Sequence, residues 1–181
     1  MTEQRLRGVY WGRFNPPHKG HLAMVRRFRR RCRLTVAIGS AEHKGERADP
    51  FSGRERTEMM RAYLSEAKIE GVRVVSLRDG ASLAWAIDNM VRRCRPDVVF
   101  LSSESSRLAR MTSARVRVIR FQRTGRISST RLRDSIAAGR TDWTRLTGRT
   151  VVRWILSHDG VARIRASYGR NRSATLRERG R

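Results

Sequence analysis

Residues 9–22 read VYWGRFNPPHKGHL. Val9, Tyr10 and Trp11 are the β-branched and aromatic residues that strands favour. Asn15-Pro16-Pro17 stops the strand, because proline has no N–H to give to a ladder. From Gly20 the period changes, and Leu22, Met24, Val25 and Phe28 fall on one helical face. The stretch is a strand, a tight turn and the start of a helix.

Working outward, the same alternation repeats. Strands are expected at residues 5–14, 34–38, 72–77, 97–101 and 116–121. Helices are expected at 20–32, 54–68, 82–93 and 128–138, and a mostly helical C-terminal part at 143–168 with a break near Asp159-Gly160. On the second of these helices Met59, Met60, Tyr63 and Leu64 form the buried side. The strands are apolar on both faces, as when helices cover both sides of a sheet. The class is α/β, a Rossmann-like open parallel sheet of about five strands with helices on both faces. In such a sheet the ligand lies beyond the carboxyl ends of the strands, at the switch point. That places a site near residues 13–21, 39–56, 77–85, 101–105 and 123–133.

The length of 181 residues suits one domain, expected over residues 1–168. Residues 169–181 are basic and almost without apolar anchors, so a frayed or disordered tail is expected there. Two cysteines, Cys32 and Cys94, are too few for a disulfide framework. No zinc site is read, and a reducing compartment is expected. No apolar run is long enough to span a bilayer, and the N-terminus lacks the apolar core of a signal peptide. A soluble cytoplasmic protein without membrane contact is the expectation.

The formal net charge is +25, with 41 Lys+Arg against 16 Asp+Glu. Nearly all the cations are arginine, the lysines being Lys19, Lys44 and Lys68. Two readings stand side by side. A strong positive field attracts phosphates and nucleic acid, and an arginine-biased coding sequence leaves a solvated basic surface. No recognition-helix or ribonucleoprotein motif is present, but the charge keeps a nucleic-acid-binding protein on this fold as an alternative of another class, with nonspecific contact through the basic surface.

Two segments carry chemistry. In GRFNPPHKGHL, residues 12–22, His18 and His21 flank Lys19 and Gly20. A helix starting there points free N–H groups and its positive dipole end at a ligand, a field that suits an anion. His18, His21, Lys19 and Arg13 add donors, and Gly20 allows close approach of the backbone. The group can hold phosphates but contains no serine or carboxylate nucleophile. In ISSTRLR, residues 127–133, Ser128, Ser129 and Thr130 open a second helix, and Arg133 lies one turn on with a fork suited to phosphate oxygens.

His18-Lys19-Gly20-His21 resembles the H-x-G-H signature of the nucleotidyltransferase superfamily, and ISSTRLR resembles its I-S-S/G-T-x-x-R signature. The wider GRFNPPHKGHL is similar to the first motif of archaeal-type nicotinamide-nucleotide adenylyltransferases. The likeness covers roughly residues 6–165. It implies transfer of AMP from ATP to nicotinamide mononucleotide, with NAD and pyrophosphate as products and Mg²⁺ carried with ATP. His18, His21 and Arg133 are implied as catalytic. Gly12, Arg13, Phe14, Lys19, Gly20, Arg47, Ile127, Ser128, Ser129 and Thr130 are implied to bind ATP and its phosphates. Asp79 and Trp85 are implied to hold the mononucleotide, Trp85 by stacking on the ring. No protein metal ligand is implied, and the family often forms homo-oligomers.

The sequence departs from the pattern in places. ADPFSGRER, residues 48–56, is similar to R-D-P-F-x-x-x-E-R, but Ala48 stands where the family has arginine and Arg47 lies one place earlier. Ser102-Ser103-Glu104 replaces the usual Ser-Gly-Asn and looks more like the adenylyltransferase domain of bacterial proteins that couple NAD regulation to ribosylnicotinamide phosphorylation. RTGRISST, residues 123–130, has some likeness to R-T-x-G-I-S-T of cytidylyltransferases, which keeps a CTP-using enzyme, or an adenylyltransferase for another phosphorylated metabolite, as alternatives.

Overall fold

The computed structural model describes residues 5–103, 116–122 and 127–178, with side chains described through residue 169. Five strands form one sheet in the order β3-β2-β1-β4-β5, and every neighbouring pair is parallel. The strands are β1 (Arg7–Gly12), β2 (Arg33–Ile38), β3 (Arg73–Ser76), β4 (Val98–Ser102) and β5 (Arg117–Phe121). The helices are α1 (Lys19–Arg29), α2 (Gly53–Glu66), α3 (Leu83–Cys94), α4 (Ser129–Ala137), α5 (Arg149–Ser157) and α6 (Gly160–Glu178). A 3-10 turn at Asp142–Leu146 precedes α5.

The sequence expectation of five strands with helices between them holds, with ends shifted by a few residues. β1 is shorter than residues 5–14 because its pairing with β2 runs only from Arg7 opposite Arg33 to Gly12 opposite Ile38. The break near Asp159 is real, and Asp159 itself takes a positive φ of 52°. α6 carries helical backbone to Glu178, past residue 168 where the sequence reading ends the domain.

Alternation along the strands builds two cores. Tyr10 faces one side with Phe28, Phe100 and Phe121, and on that side α1, α2, α4, α5 and α6 all pack. Phe28 and Phe100 stack at 4.0 Å, and burial of each ring contributes about 1.5–3 kcal/mol. Val9 and Trp11 face the other side, where α3 brings Ala86, Ile87 and Met90 against them. Cys32 and Cys94 are buried free thiols on opposite faces of the sheet, so they cannot pair. Burial pushes both thiols up, against the pull of neighbouring arginines, which makes them inert at neutral pH. Among the described residues no helix is long and apolar enough to cross a membrane.

The chain turns outward from β1 to β2 and β3, then returns to the other side of β1 for β4 and β5. The switch point therefore lies between β1 and β4, and a crevice opens beyond their carboxyl ends.

Candidate active site

β1 ends in a backbone turn that no helix or strand would make. Phe14 takes a φ of 52°, and its ring folds back against Tyr10 at 5.1 Å and His21 at 4.7 Å. A Cβ on Gly12 would sit 3.1 Å from that ring. Phe14 is 1% exposed, so it shapes the turn and offers little surface to a ligand.

The turn delivers the chain to α1. His18 is the N-cap: its Nδ1 accepts from the His21 N–H at 3.4 Å, and His21 Nδ1 accepts from the His18 N–H at 3.2 Å. The two rings stack with centroids 3.6 Å apart. This is a capping box built from two imidazoles. Because both Nδ1 atoms accept, each neutral ring carries its proton on Nε2. Gly20 is required by the same stack, since a Cβ there would meet the His18 ring at 3.0 Å. The neighbour that Gly20 admits is thus His18. Lys19 is exposed on the first turn of α1.

α4 meets α1 start to start. Ser128 caps α4 by accepting from the Arg131 N–H at 3.1 Å. Ser129 Oγ donates to the Pro16 carbonyl at 2.9 Å, and Ile127, half-buried, brings its carbonyl beside Gly20. Arg133 is 7% exposed. Its Nη1 donates to the Asn15 carbonyl at 2.7 Å and its Nη2 to Thr130 Oγ1 at 3.4 Å, while Nε is buried without a hydrogen-bond partner. Burial pushes the guanidinium pKa down, opposed by Tyr168, Asp49 and Asp134. From the C-terminal part, Thr147 Oγ1 donates to the Pro17 carbonyl at 2.7 Å.

Between these elements lies a pocket of about 370 Å³. Its walls include Gly12, Arg13 and His21 from the first segment and Ser128, Ser129, Thr130 and Arg133 from the second. Gly39, Ser40 and Ser102 close it at the ends of β2 and β4. Arg47 does not reach this pocket. It faces a neighbouring hollow that shares Ala48, Thr130 and Arg133 with it, lying 4.4 Å over the Tyr168 ring and 3.9 Å from Asp134.

Two buried residues hold the site although the sequence reading gave neither a role in it, Arg56 being matched only as part of the 48–56 segment. Asn15 donates to Asp49 Oδ1 and the Phe51 carbonyl, both at 3.1 Å, and Asp49 also lies 3.6 Å from Arg13. Arg56, fully buried, donates to the carbonyls of Arg13 at 2.8 Å, Gly39 at 2.9 Å and Ser40 at 2.7 Å. It ties the ends of β1 and β2 to α2. Burial lowers its pKa, with Asp49 pulling the other way. The signal for Asn15 was its place before two prolines; for Arg56 nothing local marks burial.

Trp85 is 42% exposed, which removes it from the core. Its ring rests on Gly80, and Asp79 accepts from the Ser40 N–H and Oγ at 3.0 and 2.7 Å. The donors around the pocket are nitrogens and hydroxyls, and the carboxylates beside it are held, Asp49 by Asn15 and Arg13 and Asp79 by Ser40. Among the described residues no group of three or more His, Cys, Asp or Glu is arranged to hold a metal. Glu104, and residues 123–126 of the cytidylyltransferase-like stretch, lie outside the described residues.

The cytidylyltransferase-like family matches residues 9–135, from the first strand through both helix starts. The chain belongs to that family. Two nicotinamide-nucleotide adenylyltransferases are similar over most of its length: that of Pyrobaculum neutrophilum is 32% identical over 88% of this chain and 92% of its own, and that of Methanospirillum hungatei 31% identical over 89% and 93%. Among solved structures, this cytidylyltransferase-like chain resembles a bifunctional NMN adenylyltransferase/ADP ribose pyrophosphatase from Francisella tularensis, with a TM-score of 0.73 and 18% identity. It covers 97% of this chain but 56% of that one, so it spans about half the length of that protein. At that identity the likeness speaks for the fold.

Proposed function

We propose that the chain is a nicotinamide-nucleotide adenylyltransferase, joining AMP from ATP to nicotinamide mononucleotide. The observation that carries the reading is the meeting of two helix N-termini on one pocket, with Ser129 Oγ on the Pro16 carbonyl and Arg133 on the Asn15 carbonyl. Two dipole ends with free N–H groups suit a chain of phosphates. The relatives' activity and the two motifs point the same way.

The reaction is in-line. An oxygen of the mononucleotide 5′-phosphate forms a bond to the α-phosphorus of ATP, and the bond from that phosphorus to the bridging oxygen breaks. Pyrophosphate leaves with the electron pair. No covalent enzyme intermediate is required, so the protein acts by positioning and by stabilising charge. His18 and His21 serve the triphosphate, His21 from the pocket wall, Arg13 and Lys19 neutralise phosphates, and Arg133 faces the leaving group. Ser128 and Thr130 hold terminal oxygens, and Arg47 reaches the outermost phosphate from the adjoining hollow. Asp79 and Trp85 hold the mononucleotide. The nitrogen and hydroxyl donors fit phosphates better than a bare cation, so Mg²⁺ enters with ATP and is shared with its phosphates.

The test is pyrophosphate release by purified protein with Mg²⁺, offering ATP or CTP with nicotinamide mononucleotide. Release with ATP, and NAD as product, is expected. Release only with CTP would move the chain to the cytidylyltransferases. The same preparation in light scattering reads a homo-oligomer, which belongs to the same proposal.

Nonspecific nucleic-acid contact has one observation in its favour. Arg7, Arg33, Arg73 and Arg117 open four of the parallel strands and are exposed, so the topology gathers them on the edge opposite the pocket. Salt-sensitive retardation of duplex DNA, lost when Arg33, Arg73 and Arg117 are changed to Gln, tests it.

A further inference from the structure

The pocket is electrically polarised. At the helix starts it presents Arg13, Arg133 and His21. Beyond Gly39 and Ser40, whose carbonyls Arg56 holds from beneath, two carboxylates face outward. Asp79 is pinned to Ser40, and Glu42 accepts from the Asp79 N–H at 2.9 Å and the Gly80 N–H at 3.0 Å. Gly80 has a φ of +62°, and a Cβ on it would lie 2.3 Å from the Trp85 ring. Two carboxylates and an exposed indole are thereby locked together around one glycine. In a chain with 41 Lys+Arg against 16 Asp+Glu, these two carboxylates are set on the outer side of the buried Arg56 guanidinium, which both attract.

An exposed indole face with carboxylates beside it suits an aromatic cation. A ligand matching the whole site has phosphate at one end and a positive ring at the other. Nicotinamide mononucleotide is such a zwitterion, since glycosylation leaves the pyridine nitrogen cationic. Its acid form has the same ring charge but adds a carboxylate beside Glu42 and Asp79. Like charges brought together there disfavour binding, whereas the carboxamide N–H groups can donate to those carboxylates.

We infer that Glu42, supported by Asp79, makes the site select the amide mononucleotide over its carboxylate form. The inference rests on the adenylyltransferase reading. It assigns Glu42 a specificity role that its hydrogen bonds alone do not require, because a glutamine oxygen accepts the same two N–H groups without the charge.

The experiment measures kcat/KM with ATP for the amide and the acid mononucleotide, in the wild type and in Glu42→Gln. The wild type is expected to favour the amide. The ratio is expected to fall on the order of tenfold in the variant, mainly by gain on the acid, as for one like-charge contact near a surface. Glu58→Gln, on the exposed face of α2, removes the same charge elsewhere and should leave the ratio alone. In the wild type the ratio should also shrink as salt rises, a reading that needs no variant to fold. A wild type that prefers the acid, or a ratio unmoved by Glu42→Gln and by salt, overturns the inference while the adenylyltransferase reading stands. No turnover of either mononucleotide removes that reading first.

Discussion

Arg133 donates from Nη1 to the main-chain carbonyl of Asn15 at 2.7 Å, across 118 residues of sequence. One guanidinium thus fixes the turn after β1 to the start of α4, with its Nε buried beneath the pocket wall and without a hydrogen-bond partner. Arg133→Ala is expected to lower kcat by about 10²–10³, the usual worth of one preorganised donor. It also strips the Asn15 carbonyl of its donor, at a cost of about 1–3 kcal/mol. Arg133→Lys keeps charge but not the fork. Turnover and thermal melting measured together separate the two effects, and near-wild-type turnover in a folded alanine variant would sink the catalytic role.

His18 joins a cap to an imidazole. His18→Ala loses both, and removal of an N-cap costs about 0.5–2 kcal/mol. His18→Asn supplies a good cap without the ring. The asparagine variant is expected to melt near the wild type and the alanine variant below it, with kcat low in both. If His18→Asn restores turnover as well as stability, the histidine is only a cap.

Arg56 is expected to matter for folding. Arg56→Met leaves the carbonyls of Arg13, Gly39 and Ser40 without their donor. Each buried acceptor left unsatisfied costs about 1–3 kcal/mol. The sum is at least about 3 kcal/mol, a fall in Tm of roughly 6–12 °C for a domain of this size. Calorimetry reads it, and a shift below about 2 °C would mean that water replaces the guanidinium.

Glu55 accepts two hydrogen bonds from Arg163, at 2.7 and 2.9 Å, and one from the Ser52 N–H at 2.7 Å. Burial by itself would raise its pKa; the hydrogen bonds from Arg163 and Ser52 outweigh it and hold the carboxyl down at about 2, against an ordinary 4.5. A folded value below the unfolded one gives stability that is complete above about pH 4.5 and is lost as pH falls through about 2. In urea melts from pH 6 to pH 2, the wild type should exceed Glu55→Gln by a constant margin above about pH 5, and the margin should close towards pH 2. A margin that stays constant over the whole range contradicts the pairing.

Local chemistry alone determined much of this protein. Proline's missing N–H bars the strand from running past residue 15, apolar periodicity marks the strands and helices, and serine marks the cap of the helix after β5. These effects act between residues a few positions apart, so the strand-turn-helix unit at 9–22 and the cap at Ser128 are legible without a fold. The two helix-start segments that meet on the pocket were legible for the same reason.

Tertiary structure decided what each long side chain does. Motifs mark Arg56 and Arg133 on paper, but not their burial: distant carbonyls, on strands and turns brought together by the parallel sheet, take up their donors. Trp85 reads equally as core or surface; packing on α3 buries Ala86, Ile87 and Met90 instead and leaves the indole on Gly80. The arginines look scattered along the sequence, but parallel strands share a direction, so those that open strands come to one edge. A guanidinium or an indole carries no local signal of its partner. Only long-range contact, which ordering the chain makes possible, selects burial or exposure for it.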